Sequence, residues 1–198
     1  MKILVACEFS GIVRDAFIKK GHDAISCDII DTDSPGPHHK GDVLEYLKHN
    51  SFDLMLAFPP CTYLTAAGER WMKDPRYPNR AQDRREAAEF FMALMNADIE
   101  KICVENPIGH MTTCYRKPDQ IVNPFQYGDP AKKRTCLWLK NLPTLQPTDI
   151  VEIEYVTNLK GKKVPKWEYE TSPQKKGREK ARSKTFPGIA NAMAEQWG

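Results

Sequence analysis

The sequence contains no apolar run long enough to cross a bilayer, which takes about 20 residues. Its most hydrophobic start, Met1-Lys2-Ile3-Leu4-Val5-Ala6, is interrupted at Glu8, so neither a membrane span nor a targeting segment is expected and the chain reads as a soluble cytoplasmic protein. It also lacks any Cys-x-x-Cys pair: Cys7, Cys27, Cys61, Cys103, Cys114 and Cys136 are scattered. That spacing argues against a zinc site and against a disulfide framework. His38-His39 and His110 have no cluster of other ligand types around them, so no metal is expected. There is no large charge excess either. At +3 the net charge is too small to establish a nucleic-acid partner, and what matters is where the cations fall. No internal repeat is present, which excludes a solenoid, and 198 residues suffice for one domain with a single sizeable core.

What is there alternates between short apolar runs and helical patterns. Lys2 to Cys7, Asp23 to Cys27 and Asp53 to Phe58 read as buried strands. Between them, Ile12 to Lys20 reads as a helix with Ile12, Ala16 and Phe17 on the sheet side, closed by Gly21. Val43 to Lys48 reads as a second helix, introduced by Gly41-Asp42. The spacing is βαβαβ, and the right-handed crossover rule makes the sheet parallel. Asp31 to Pro37 is loop, and Ala66 to Arg80 is a long polar stretch of the kind that usually has a function. Ala81 to Ala97 is a helix with Ala88, Phe91, Met92 and Met95 on its apolar face. Lys101 to Val104 is the next strand, and Gln120 to Val122 with Arg134 to Leu139 form a final strand pair. Ile150 to Tyr155 and Val164 to Tyr169 predict a hairpin around Lys160-Gly161-Lys162. Lys175 to Lys184 is basic and reads as exposed or flexible, and a last helix runs from about Gly188 to Trp197.

The strand at Asp53 to Phe58 ends in Pro59-Pro60-Cys61. Two prolines fix φ twice and remove two backbone donors, so the strand stops and delivers Cys61 just past its carboxyl end. In open α/β sheets that edge is where ligands bind. Glu105 follows the next strand and is held close to Pro107. A thiol with a lowered pKa is a strong nucleophile, and a buried carboxyl with a raised pKa is a proton donor, so together they suit attack on an electron-poor ring. The alternative is that Cys61 is inert core. Glu8, Asp28 and Asp42 also fall at strand ends or before a helix. Such acids either face a nucleotide ribose or cap turns and helices.

Ala57-Phe58-Pro59-Pro60-Cys61, Ala67-Gly68, Asp74-Pro75-Arg76 and Val104-Glu105-Asn106 resemble, in order and spacing, the motifs of the cytosine-C5 DNA methyltransferase family. Glu8-Phe9-Ser10-Gly11 resembles the family's first S-adenosylmethionine loop, Cys27-Asp28-Ile29 its ribose-binding strand end and Gly41-Asp42-Val43 its adenine-contacting turn. Tyr127-Gly128-Asp129-Pro130 resembles the start of the basic motif, and Gly188-Ile189-Ala190-Asn191-Ala192 the C-terminal Asn motif. The resemblance implies an α/β, Rossmann-like methyltransferase fold with a mostly parallel sheet and an antiparallel strand at one end. It implies S-adenosylmethionine as cofactor, with Pro59 and Asn191 among the residues that hold it. It also implies attack of Cys61 on cytosine C6, with Glu105 holding and protonating N3 and Lys133 in the place of a basic-motif arginine. The family acts on a base flipped out of the duplex, and Thr62 to Arg80 would be the lid. Two departures stand out: Val13-Arg14 replaces a glycine pair of the first loop, and Ala131-Lys132-Lys133-Arg134-Thr135 replaces Gln-x-Arg-x-Arg.

The family's target-recognition domain has no full counterpart here. In its place, residues from about 145 to 184 offer the hairpin and the basic run, within one catalytic domain spanning 1–198. Arg134, Lys175, Lys176, Arg178, Lys180 and Arg182 are the candidates to grip phosphates, with Trp167 and Tyr169 interleaved; the alternative is a solvated surface. The expected partner is DNA, duplex or single-stranded. RNA or a free cytosine nucleotide is the alternative substrate, and a methyltransferase-like nucleic-acid-binding protein without catalysis is the alternative of another class.

Overall fold

A computed structural model describes residues 1–198. Its first βαβ unit follows the apolar periodicity: β1 (Lys2–Ala6), α1 (Ile12–Lys19) and β2 (Asp23–Asp28), then a three-residue β3 (His38–Lys40) and α2 (Val43–His49). Next come β4 (Leu54–Ala57), a 3₁₀ turn over Ala66–Trp71, α3 (Arg80–Met95), β5 (Lys101–Pro107), α4 (Met111–Cys114), β6 (Gln120–Val122) and β7 (Thr135–Lys140). The chain ends with β8 (Tyr155–Thr157), β9 (Lys163–Pro165), α5 (Lys166–Glu170), α6 (Arg178–Ser183) and α7 (Pro187–Trp197).

Seven strands form one sheet in the order β3-β2-β1-β4-β5-β7-β6. Pairings from β3 to β5 are parallel, whereas β7 runs antiparallel to both β5 and β6. Strand β1 reads as uninterruptedly apolar because both its faces are covered. Ile3 and Val5 pack with Phe17, Met193 and Trp197 on one side, and Leu4 and Ala6 pack with Phe91, Leu94 and Trp138 on the other. The strand order reverses between β1 and β4, which opens a crevice at their carboxyl ends.

Several expectations need correction. The His38-His39 pair belongs to a strand, because Ser26 to Asp28 offer it a parallel edge; a polar three-residue edge strand leaves no apolar alternation to read. The hairpin is shorter than expected and Val164 to Tyr169 is not a strand throughout. After Pro165 the chain turns into α5, so of Ile150 to Glu154 only Glu154 is joined to it, by Lys166 N–H to Glu154 O (2.8 Å) and the Lys166–Glu154 ion pair (2.8 Å). The basic run, read as exposed or flexible, contains a helix: Gly177, at φ 75°, opens α6 inside it. On α3 the buried face is Arg80, Arg84, Phe91, Leu94 and Met95, with Ala88 and Met92 only half-buried.

The loops leaving β4 and β5 are joined. Ala66 N–H donates to Ile108 O (3.2 Å) and His110 N–H to Leu64 O (2.7 Å). A Cβ on Gly109 would fall inside the Leu64 carbonyl oxygen, so only glycine allows this approach. Gly109→Ala is therefore expected to destabilise the protein by about 1–3 kcal/mol, the usual range for forced overpacking. Denaturant unfolding checks it, and an unchanged midpoint would show that the two loops do not need to touch.

Candidate active site

Cys61 follows β4, whereas Glu105 lies within the adjacent parallel strand β5, paired with Leu137, because β7 carries β5 on past Val104 to Pro107. Phe58 N–H still bonds Ala6 O (3.0 Å), after which the buried Pro59 and exposed Pro60 lift the chain off the sheet. Asn106, 1% exposed, donates its Nδ2 to Pro59 O (3.0 Å), so the residue after Glu105 fixes the proline turn that carries Cys61. Glu105 is oriented from its antiparallel neighbour, because Thr135 Oγ1 donates to its Oε1 (2.9 Å). Cys61 is solvent-accessible, yet protein atoms crowd its thiol. Burial raises its pKa, the Glu105 carboxylate raises it further, and Lys133 and Arg182 oppose both. The thiol is thus pushed up, not down as expected from sequence, because protein atoms shield it from water and the Glu105 carboxylate adds to that effect.

Lys133 reaches this site but is engaged: its Nζ donates to Arg182 O (3.0 Å) and lies 6.0 Å from the Phe186 ring. Phe58, Glu105, Lys133 and Thr135 form the floor of a recess whose other wall is the segment Ser183 to Phe186. The basic run therefore crosses the site as a strap. Lys180 and Lys184 pair with the two oxygens of Asp33 (2.7 and 2.8 Å) and sit 5.7 and 5.9 Å from the Phe9 ring. These two bonds hold the Asp33 carboxyl below its ordinary range. Arg178 donates to Thr171 O (3.1 Å), and Arg182 donates to Thr171 Oγ1 (3.2 Å) while stacking on Trp167 (4.9 Å). Lys175 lies 5.2 Å from Tyr169. Of the six candidate phosphate-binding residues, Arg134 and Lys176 are exposed and form no side-chain bond.

The other candidates gather on the same edge. Asp33 N–H donates to Phe9 O (2.8 Å) and Gly41 N–H to Asp28 O (2.9 Å), tying the ends of β1, β2 and β3 together. Glu8 is buried and turns under α1, where Oε1 accepts from Ser10 Oγ (2.8 Å) and Val13 N–H (2.9 Å), leaving Oε2 buried without a partner. Burial raises its pKa against these bonds. Gly11, at φ 76°, caps α1. Asp28 is half-buried, with a pKa raised by burial, and Ile29 beside it is 74% exposed. Asp42 caps α2 through Oδ1, accepting from Leu44 N–H (2.7 Å) and Glu45 N–H (3.1 Å), so the capping reading holds for it. Val43 is buried in the core and Asn191 is exposed on α7 without a side-chain bond.

Sequence reasoning missed Arg14. Its side chain is fully buried and clamps the loop between β2 and β3, donating to Ser26 Oγ (3.2 Å), Ser34 O (3.1 Å), Pro35 O (3.2 Å) and Pro37 O (3.4 Å). Val13-Arg14 in place of two glycines thus ties down the loop that carries Asp33. The available signal was an arginine three residues before the buried Phe17, on the packed side of the helix.

No family model and no curated protein matches the chain. Among solved structures, a methyltransferase of Entamoeba histolytica is similar at 14% identity with a TM-score of 0.50, over 75% of this chain and 57% of that one. The fold shared with that structure is a Rossmann-like α/β sheet. A protein assigned as a DNA modification methyltransferase, encoded within an Escherichia coli prophage, aligns at 15% identity and a TM-score of 0.48, over 76% of this chain and 51% of that one. The chain thus spans little more than half the length of either structure. The architecture expected from the sequence, a mostly parallel sheet with an antiparallel end, is the one observed.

Proposed function

We propose that this chain transfers a methyl group from S-adenosylmethionine to C5 of cytosine in DNA through a covalent bond to Cys61. The observation that carries this reading is the pairing of Cys61, just past β4, with Glu105 in the adjacent β5, cross-linked by the Asn106 to Pro59 bond and close enough to couple electrostatically.

The residues at the β1 and β2 ends suit the cofactor. The unpaired Oε2 of buried Glu8 is an acceptor without a donor, and Asp28 with exposed Ile29 offers a carboxylate beside an apolar platform. Phe9, Ser10 and Gly11 would frame the methionine end, and Asp42 and the Val43 backbone the adenine end, with Pro59 and Asn191 at the rim. When bound, the cofactor supplies an electrophilic methyl group. Cys61 Sγ, once its proton has passed to water, bonds to C6 while the proton held between Glu105 and N3 moves onto N3, and the ring electrons move to C5, which would take the methyl group. Loss of the C5 proton to water restores the double bond and expels the thiolate, and the N3 proton returns to Glu105. The Lys133 cation opposes the negative charge of Glu105 at the thiol.

The strap over Glu105 must lift for a pyrimidine to enter, because the recess beneath it is small and narrow. The same chemistry on RNA, on a single strand or on a free cytosine nucleotide is a second reading. It is favoured by residues 145–184, which form only a two-stranded ribbon and two short helices. Radiolabelled cofactor offered with duplex DNA, single-stranded DNA, tRNA and dCMP separates the two. Transfer to duplex cytosine supports the first reading, transfer to the others alone supports the second, and no transfer to any of the four sinks both.

A further inference from the structure

The loop that follows Cys61 carries a cluster that neither the cofactor site nor the basic strap uses. Trp71 and Tyr77 meet edge to face at 5.8 Å. Arg70 lies 4.6 Å from the Trp71 ring, Arg76 lies 5.4 Å from Trp71 and 5.9 Å from Tyr77, and Arg80 lies 5.3 Å from Tyr63 and 5.9 Å from Tyr77. Tyr77 is 46% exposed, and Arg70 is exposed with no carboxylate partner. Arg76 is held by Asp74 (2.7 Å), which fixes its plane.

Arg80 is the decisive residue. It is 8% exposed, makes one hydrogen bond, to Thr62 O (3.2 Å), and has no carboxylate within ion-pair reach, while its Nε is buried with no partner. Arg84 beside it takes the Glu69 carboxylate (2.7 Å). A nearly buried guanidinium left without an anion is costly unless something supplies one. Its one bond is to the carbonyl of Thr62, the residue after Cys61, so it is tied to the segment that carries the nucleophile. Layered aromatic rings and guanidinium planes stack nucleobases, but only bases whose own faces are free. A paired base inside a duplex has both faces covered.

We propose that this loop cluster is a binding site for unpaired nucleotides of single-stranded DNA: bases stack on Trp71 and Tyr77, and Arg80 and Arg70 take the adjoining phosphates. It deepens the second of the two readings above, in which the Cys61 site receives a single strand, and it rests on that reading for its role beside cytosine. The binding itself does not.

The test measures binding by fluorescence anisotropy without cofactor, using a labelled oligothymidylate and a duplex of the same length. Trp71→Ala is expected to weaken the single-strand complex roughly five- to a hundredfold and the duplex complex less than about twofold, with Trp71→Phe retaining most of the affinity. Arg70→Ala is expected to lower the salt dependence of the single-strand complex by about 0.7 in log–log slope. Arg85→Ala removes an equal charge from the exposed face of α3, and it is expected to leave affinity for oligothymidylate nearly unchanged. Equal losses on duplex and single strand, or a Trp71→Ala protein that binds oligothymidylate as well as the unaltered one, would overturn the proposal. Because no methyl is transferred, these outcomes stand apart from the failure of the cytosine chemistry.

Discussion

An oligonucleotide containing 5-fluorocytosine is expected to form a stable adduct with the protein in the presence of S-adenosylmethionine, and Cys61→Ser is expected to form none. Fluorine cannot leave C5 as a proton does, so the reaction stops with the C6–S bond intact. A serine hydroxyl in the same place is too weak a nucleophile beside a carboxylate that disfavours its ionisation. Glu105→Gln keeps the shape and the Thr135 hydrogen bond but cannot protonate N3. Its adduct is expected to form about 10²- to 10⁴-fold more slowly, the usual contribution of a positioned acid. Denaturing electrophoresis reads both. An adduct that survives Cys61→Ser would move the nucleophile to another residue and end the proposed mechanism.

The second large effect is the pH dependence of that adduct. Burial and the Glu105 carboxylate raise the Cys61 pKa above its ordinary value, so the thiol is the dominant form throughout the neutral range. The thiolate fraction then grows tenfold per pH unit, and the initial rate of adduct formation is expected to rise about a hundredfold from pH ~6.5 to ~8.5. The sign is fixed by the raised direction, since a depressed thiol would already be ionised and give a flat profile over the same range. Lys133→Gln removes one of the charges that opposes the shift and is expected to displace the profile to still higher pH. A rate independent of pH above neutrality would show that the thiol is ionised in the working complex.

Much of the scaffold was legible. Apolar runs bounded by turns mark β1, β2, β4 and β5 because strands covered on both faces have no polar side to hide, and the proline pair marks where β4 must stop. Helix α3 was plain from its periodicity, although its buried Arg80 and Arg84 were not, since the core-facing stripe was read from apolar residues alone. The hairpin was overextended because period two persists past Pro165 into residues that the structure winds into α5.

The candidate chemistry divides along the same line. The sequence by itself determined that a cysteine stands past the carboxyl end of β4, since that depends only on local chain stiffness and strand length, whereas Glu105 lies inside β5 because β7 pairs with it there. It left Asp42 between ligand and cap, and it placed the basic run in solvent. Tertiary structure alone decided that Asp42 caps α2, that Glu8 folds under α1, and that the lysines of the run reach back to Asp33 across the cleft. It also decided the sign of the Cys61 shift. Each of these depends on which charges from distant parts of the chain come within a few ångströms. Coulombic and desolvation energies are set by that distance and by burial, which no spacing along the sequence encodes.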